Sequence, residues 1–306
     1  PFVLLQAVAE LSEEELRRDL AQLQAAEFVY ETRLFPDLEY TFKHALTHEV
    51  AYGSVLQERR RTLHASIAEA IERLYPDRLV EQVELLAHHA FHGELWEKAV
   101  SYLQKAGAKA ADRSAHREAV SSFDQALDAL EHLPESRQMI EQAIDIRIDM
   151  RSSLQPLGEQ VKILERMREA EVLAESLNEQ RRLGQVSAYL SGYFIQAGDD
   201  TIQAIEKGER AFAIASAIGN FSLQVQANHF LGSAHRLTGD FDWAIYHFKK
   251  NVDALVGDQI YERFGLAFVA SVGSLSHLTW GLSEVGEFNE AAIHGNEAIR
   301  IAEALQ

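Results

Sequence analysis

Histidine is the residue type in this sequence best suited to metal or acid–base chemistry, and the chain has 13 of them. His44 and His48 are four residues apart, so in a helix they lie on one face. A zinc-protease motif needs a glutamate, its general base, directly after the first histidine of such a pair. Ala45 occupies that place here, which argues against a hydrolytic metal centre.

A second pair, His88 and His92, has the same spacing, and Glu84 lies one turn earlier. A zinc site needs three converging ligands with a supporting outer shell. Both histidine pairs lie beside apolar positions that we expect to face neighbouring helices. The sequence therefore predicts packing or surface histidines and no metal site.

Other catalytic patterns are missing from the sequence. It has no cysteine, and no Gly-x-Ser-x-Gly elbow or Gly-x-x-x-x-Gly-Lys-Ser/Thr phosphate loop is present. The carboxylates are scattered over positions expected to face solvent. We expect no catalytic residues and no cofactor in this segment, although a free-standing hydrolase on a helical scaffold stays a third alternative.

The composition of the chain argues against two classes of binding partner, nucleic acids and membranes. The net charge of −18 repels a phosphate backbone, so we expect no direct nucleic-acid partner. No apolar run reaches the roughly 20 residues that a membrane span needs, and we expect no membrane partner and a cytoplasmic location. Only 5 prolines and 17 glycines interrupt a sequence rich in helix-forming residues. Because the chain opens at Pro1 on an apolar run, we expect a segment of a longer polypeptide.

The first residues predict a small mixed module. A short helix precedes a second one, whose start at Ser12 and Glu15 is a capping box. Residues 28–32 and 38–42 alternate and are rich in β-branched and aromatic side chains, and residues 35–37 suit the turn of a hairpin. Two helices and a hairpin are the order of a winged helix; a helical pair with a stabilising hairpin fits equally well.

A winged helix often binds DNA, but the candidate recognition helix here is poorly suited to it. It opens on three glutamates, and Arg17 and Arg18 are its early cations. Base readout favours Arg, Lys, Asn or Gln with basic flanks. The module is therefore interpreted as a protein-packing unit.

Self-similarity is the strongest pattern in the chain. Gly232 is followed by Ala244 and Phe248, with Gly239 in the turn between two helices. Small residues let antiparallel helices approach closely, and hairpins of this kind stack because none can bury its apolar face alone. The same spacing recurs at Gly192/Ala204/Ala211, Thr279/Ala291/Ala298, Ala87/Ala99 and Gly107/Ala119/Phe123.

These repeats resemble the tetratricopeptide (TPR) family, although their periods of about 40 to 47 residues exceed its 34. The predicted fold class is all-α: a superhelix of TPR-like helical hairpins, preceded by a winged-helix-like module with one β-hairpin and with more than about 65% helix. We expect a module and linking helices over residues 1–75 and TPR-like repeats over residues 76–306. Residues 134–160 suit either one long helix or a poorly matched repeat.

In stacked TPR hairpins the first helix of each pair lines the concave groove. Aromatic and arginine side chains dominate binding energy at interfaces, so this groove is predicted to bind a peptide or small ligand. The alternative is that Tyr189 and Trp280 merely pack between helices. The groove candidates are Tyr189, Tyr193, His229, Arg236 and Trp280.

Three segments carry a more specific resemblance: Tyr40 to Tyr52, Arg59 to His64, and Glu84 to Ala99. They resemble bacterial signalling proteins in which a class III adenylate/guanylate cyclase domain precedes a STAND-like AAA ATPase and a TPR tail. The resemblance implies a regulatory, protein-interaction segment, with the upstream ATPase domain as a partner and ATP or ADP bound only in the full-length protein. ATPase-linked TPR transcriptional regulators are the alternative family.

The same resemblance implies a role for His44. In STAND ATPases a histidine just after the winged-helix strands, within a Met-His-Asp motif, contacts a nucleotide phosphate. His44 follows the predicted strand 38–42 and begins a helix, whose N-terminus favours an anion. This sequence departs from the motif at Ala45, where the family has aspartate. The alternative is that His44 caps the helix or packs the hairpin against it.

Overall fold

The computed structural model describes residues 1–33, 38–198 and 200–305. Helices make up 77% of the chain, which confirms the predicted all-α class and its helix content. The chain divides into two compact units, Pro1–Glu135 and Ser136–Gln306. The boundary expected between residues 75 and 76 lies inside the first unit and stays a prediction.

The first unit combines a two-stranded antiparallel sheet with helices. A short 3₁₀ helix, Pro76–Arg78, follows its fourth α-helix. Its elements are α1 (Phe2–Val8), α2 (Glu13–Ala25), β1 (Val29–Arg33), β2 (Glu39–Phe42), α3 (Ala45–Ser54), α4 (Gln57–Leu74), α5 (Val83–His92), α6 (Trp96–Asp112) and α7 (His116–Glu131).

The capping box that was predicted to begin α2 is present. The backbone N–H of Glu15 donates to Ser12 Oγ at 3.3 Å, and the N–H of Ser12 donates to Glu15 Oε2 at 3.0 Å. The predicted hairpin is confirmed, with Val29 opposite Phe42. Its predicted turn, residues 35–37, lies outside the described residues. Helix, helix and hairpin follow in the predicted order, and the identification as a winged helix stays a prediction.

Helix α3 is apolar but exposed. Its periodic positions Leu46 and Val50 are 69% and 64% exposed, and Leu56 just beyond it is 80% exposed. None of the residues of α3 is buried. The helical spacing of these apolar positions thus correctly predicted a helix. Among the described residues, however, its apolar face does not pack against a hydrophobic core.

The second unit consists of four helical hairpins. Residues 134–160, for which two interpretations were open, contain one helix that begins the first hairpin. A 3₁₀ helix, Gly257–Tyr261, lies between the third and fourth hairpins. The α-helices are α8 (Arg137–Leu154), α9 (Gln160–Ser176), α10 (Gln180–Ala197), α11 (Thr201–Ala217), α12 (Phe221–Thr238), α13 (Phe241–Ala254), α14 (Ala270–Glu284) and α15 (Phe288–Glu303).

Small residues make the helix contacts that their spacing predicted. A Cβ added at Gly232 would lie 2.8 Å from the ring of Phe248, which is fully buried. Ala204 and Ala244 are likewise fully buried. In the first unit, α6 packs between α5 and α7, in agreement with the two overlapping patterns Ala87/Ala99 and Gly107/Ala119/Phe123. The Gly192/Ala204 spacing also predicts a turn at residues 198–200, and part of this segment lies outside the described residues, because Asp199 is not among them.

Among the described residues, no helix combines the length and the apolarity that crossing a bilayer requires.

Candidate functional site

The first helices of the second unit form a layer of their own. Helix α10 packs against both α8 and α12, and α12 packs against α14, in addition to the contacts within each hairpin. We call α8, α10, α12 and α14 the first-helix layer. The predicted groove residues all lie on it: Tyr189 and Tyr193 on α10, His229 and Arg236 on α12, and Trp280 on α14.

This layer carries most of the buried polar side chains among the described residues. Burying a polar group costs free energy unless it finds a hydrogen-bond partner. Ser191 finds one, since its Oγ donates to the carbonyl of Ala204 at 2.6 Å. Gln226 Oε1 and His229 Nδ1 have none among the described residues. The buried polar residues of the layer include Ser187, Ser191, Gln226, Asn228, His229, Ser233, Ser271 and Ser274.

At one end of the layer, Arg151 and Tyr189 form a small pocket. The Arg151 guanidinium carbon lies 4.0 Å from the centroid of the Tyr189 ring, a cation–π contact. Burial lowers the pKa of Arg151, against the opposing effect of Tyr189. Arg151 Nε is buried and has no hydrogen-bond partner among the described residues.

Tyr193, Gln196 and Phe230 also line this Arg151 pocket, whose volume is about 80 Å³. Pockets for whole small-molecule ligands usually measure about 300–1,000 Å³. The Arg151 pocket therefore suits one small polar group, such as a carboxylate or an amide at the end of a larger ligand.

Arg236 forms the second cationic position. Its guanidinium carbon lies 4.1 Å from the centroid of the Trp280 ring. Trp280 remains 48% exposed, and its Nε1–H donates to Glu284 at 2.9 Å. Arg236 Nε is buried without a hydrogen-bond partner among the described residues. Arginine stacked on tryptophan presents a flat cationic and aromatic surface, a combination that recurs at interface hot spots.

His229 lies near this second cationic position. Its ring centroid is 5.3 Å from that of His277 and 5.0 Å from that of Phe268. Burial lowers the pKa of His229 to about 3, and the charges of His277 and Arg236 act in the same direction. The ring is therefore neutral at neutral pH, so it contributes a hydrogen-bonding nitrogen and no charge.

The segment before α14 contacts the first-helix layer closely, where its backbone approaches the side chain of Gln226. Gln226 Nε2 donates to the carbonyl of Phe264 at 2.5 Å. Gly265 follows with φ of +79°, and an added Cβ would lie 2.7 Å from that same amide nitrogen. Only glycine combines this left-handed conformation with such an approach at low cost.

The structure brings the predicted groove residues into two places. Tyr189 and Tyr193 line the Arg151 pocket, whereas Arg236 and Trp280 stack on each other beside His229. Tyr189 is only 7% exposed, so packing is a large part of its role. The assignment of these residues to a ligand groove stays a prediction.

Sequence reasoning missed Arg151 and His277. Arg151 lies on α8, in the stretch whose repeat pattern was weak, so its position in the layer could not be assigned. His277 lies three residues before Trp280 and thus on the same helix face. The three-residue spacing from Trp280 was the sequence signal that could have placed His277 in the candidate site.

His44 is exposed at the start of α3 and acts as its N-cap residue, but its side chain makes no capping hydrogen bond. The alternative of side-chain capping thus has no support. His48 packs between Phe42 and Tyr52, with ring centroids at 5.2 and 6.0 Å. The carboxylate of Glu84, one turn before His88, accepts a hydrogen bond from Lys109 Nζ at 2.8 Å.

No protein-family model matches the sequence, and no curated protein matches it. Solved structures do match. Aspartyl phosphate phosphatase F from Bacillus subtilis is 16% identical with a TM-score of 0.58, over 99% of this chain and 72% of that one. BtubC from P. vanneervenii is 15% identical with a TM-score of 0.54, over 82% and 93%.

The TPR-like repeats of a Podospora anserina kinesin light chain are 14% identical to this chain, with a TM-score of 0.52. The match covers 76% of this chain and 98% of that one. At such low identity the likeness shows the fold alone. The chain has a TPR-like helical-repeat fold.

Proposed function

We propose that the second unit is a non-catalytic, protein-interaction segment that binds an extended peptide along the first-helix layer. The observation that carries the proposal is the pair of stacked arginines, Arg151 on Tyr189 and Arg236 on Trp280, on first helices of different hairpins. Each has a buried Nε without a hydrogen-bond partner among the described residues.

The chemistry of the layer indicates the kind of peptide. The chain as a whole is strongly acidic, so the two arginines that stack on aromatic rings in this layer make a local contrast. Guanidinium groups bind carboxylates through charge-assisted hydrogen bonds. The Arg151 pocket admits one small group, and exposed Trp280 offers a flat apolar surface. We expect a peptide with at least one carboxylate, either a side chain or the free C-terminus, and an apolar residue nearby.

The test uses a library of short random-sequence peptides with free C-termini, selected on the immobilised chain and compared with the amidated library. Wild type should enrich carboxylate-bearing peptides. Trp280→Ala should weaken binding of an enriched peptide by about 30-fold, as expected for a hot-spot tryptophan worth about 2 kcal/mol.

Trp243 provides a matched control on α13, a second helix. It is 52% exposed, close to the 48% of Trp280. Trp243→Ala should leave affinity unchanged. Enrichment of no peptide, or equal losses in the two tryptophan variants, would contradict the assignment of the first-helix layer.

We further propose that the first unit contacts an ATPase-type domain in a larger signalling protein. An apolar groove of about 530 Å³ lies between the hairpin and α3, lined among others by Phe28, Phe42, Leu46 and Val50. Exposed apolar grooves of this kind mark protein interaction sites. An adenylate/guanylate cyclase with an ATPase switch is the favoured context, and an ATPase-linked transcriptional regulator is the alternative.

In that context His44 is proposed to contact a nucleotide phosphate. Its exposed ring stands at the N-terminus of α3, next to the unpaired backbone N–H groups that favour an anion. The test compares ADP affinity in the full-length protein for wild type and His44→Ala. We expect weaker binding in the variant; unchanged affinity in a folded variant would assign His44 a structural role.

A further inference from the structure

Four histidines from two helices of the first unit meet at one place. His64 comes from α4, whereas His88, His89 and His92 come from α5. The ring centroid of His64 lies 5.0 to 5.5 Å from each of the other three. We call this group the histidine cluster.

A glycine permits the helix contact that creates it. Gly93 ends α5, and a Cβ added there would lie 2.7 Å from the backbone nitrogen of Ala65. The end of α5 therefore touches the α4 backbone directly after His64. Any larger residue would push the helices apart at the position where the histidines converge.

Within the cluster, ring nitrogens face one another. His64 Nδ1 and His89 Nδ1 are 2.8 Å apart, so one nitrogen carries a hydrogen and the other offers a lone pair. One nitrogen of each of His64, His88 and His89 lies within 4.8 Å of the other two. In a tetrahedral zinc site with Zn–N bonds of about 2.0–2.1 Å, ligand nitrogens are about 3.3 Å apart. Reaching that spacing requires the ring nitrogens to approach one another by up to about 1.5 Å.

Outer partners already orient the rings. His64 Nε2, the nitrogen away from His89, lies 3.0 Å from the Tyr52 hydroxyl. With Nδ1 bound to an ion, Nε2–H would donate to that hydroxyl, as the outer nitrogen of a ligating histidine normally does. His92 Nδ1 donates to the carbonyl of His88 at 2.8 Å, which leaves its Nε2 with a lone pair.

The donor chemistry selects the class of ion. Imidazole nitrogen suits Zn²⁺, Ni²⁺ and Cu²⁺, whereas Mg²⁺ and Ca²⁺ prefer oxygen. We propose that His64, His88 and His89 bind a zinc-type divalent ion, with His92 or water as the fourth ligand. The ion would join α4 to α5, and Tyr52 would connect it to α3.

A positive charge near the cluster limits its affinity for a cation. Arg60, whose guanidinium carbon is 5.1 Å from the centroid of the Tyr52 ring, opposes a cation. We therefore expect an affinity below that of dedicated structural zinc sites.

The test titrates the full chain with ZnCl₂ by calorimetry and, in parallel, with MgCl₂. One zinc ion per chain should bind and raise the unfolding temperature, and magnesium should do neither. Co²⁺ should give the intense visible absorption of a tetrahedral site. His89→Gln should weaken zinc binding at least about 100-fold and Tyr52→Phe about tenfold, by analogy with outer-shell losses.

His64→Gln removes a buried ring, so a loss of zinc binding there does not separate ligation from folding. His88→Gln changes an exposed side chain, and it should lose zinc while keeping the wild-type circular dichroism spectrum. His132→Gln is the matched control, since His132 is exposed in the same unit but lies outside the cluster, stacked on Trp96; it should bind zinc as wild type does. The proposal would be overturned if wild type showed no saturable zinc binding, if both His88→Gln and His89→Gln kept the wild-type affinity, or if His132→Gln lost as much affinity as they do.

Discussion

The histidine cluster of the first unit and the first-helix layer of the second both bury histidine, but in different surroundings. His64 and His89 face each other through ring nitrogens 2.8 Å apart. His229 instead lies among aromatic rings, with His277 and the cation Arg236 nearby. Imidazole nitrogens that converge in this way suit a cation. A neutral ring beside an arginine suits a polar or anionic group.

The difference teaches that histidine count and spacing do not decide chemistry by themselves. In the cluster, close backbone approach at Gly93 brings four rings together. In the layer, phenylalanine rings also pack against His229, as Phe248 and Phe268 do. The neighbours that surround each ring decide whether its nitrogen meets another ligand, a hydrogen-bond partner or an apolar wall.

The largest expected effect comes from Gly232→Leu in the second unit. Leucine would overlap the buried Phe248 ring, which a Cβ already approaches to 2.8 Å. Overpacking of this kind costs about 1–3 kcal/mol or more. Urea unfolding should show the loss, whereas zinc affinity of the folded protein should stay unchanged. An unaltered unfolding midpoint would contradict the assigned hairpin contact.

A smaller effect is expected for Gly93→Ala in the first unit. The added methyl group meets the α4 backbone at Ala65, so we expect a cost of about 1–2 kcal/mol and weaker zinc binding. Gly53 is the matched control in α3, where a Cβ meets nothing within 4 Å. Gly53→Ala should leave zinc affinity unchanged and stabilise the helix slightly. Equal zinc affinities in the two variants would show that the close approach does not shape the cluster.

The smallest expected effect is a change in how the stability of the fold depends on pH. The pKa of His229 is lowered to about 3 and that of His247 to about 4, in both cases chiefly by burial. The unfolded chain therefore binds protons first as the pH falls below about 6.5. The stability from these neutral rings is complete above that pH and is lost progressively down to pH 3–4.

Urea unfolding at pH 7, 6 and 5 measures this dependence. His229→Gln should show a shallower loss of stability with falling pH than wild type, whatever its stability at pH 7. His294→Gln, which replaces a histidine outside the first-helix layer, should keep the wild-type slope. Parallel slopes in wild type and His229→Gln would contradict the buried, neutral state of that ring.

Local patterns predicted most of the fold. The spacing of Gly232, Ala244 and Phe248 predicted a hairpin, because these residues lie on two consecutive helices joined by one turn. Ser12 and Glu15 fixed a helix start for the same reason. The candidate site depended on which helices become neighbours. Tyr189 and Trp280 could be placed on first helices from the repeat, but their arginine partners could not all be found.

The histidine cluster shows the limit of such reasoning most clearly. His88 and His92 were visible as a pair, and the third and fourth rings were not. His64 precedes His89 by 25 residues, and their meeting depends on the contact of Gly93 with a neighbouring backbone. Helical spacing within one element carries no information about that contact.

Hydrogen–deuterium exchange of the full chain tests the central claim, that the first-helix layer is the binding surface. It compares the chain with and without a peptide enriched from the random library. Slower exchange in α10, α12 and α14, with α11, α13 and α15 unchanged, is the predicted result. Protection confined to α11, α13 and α15 would contradict it.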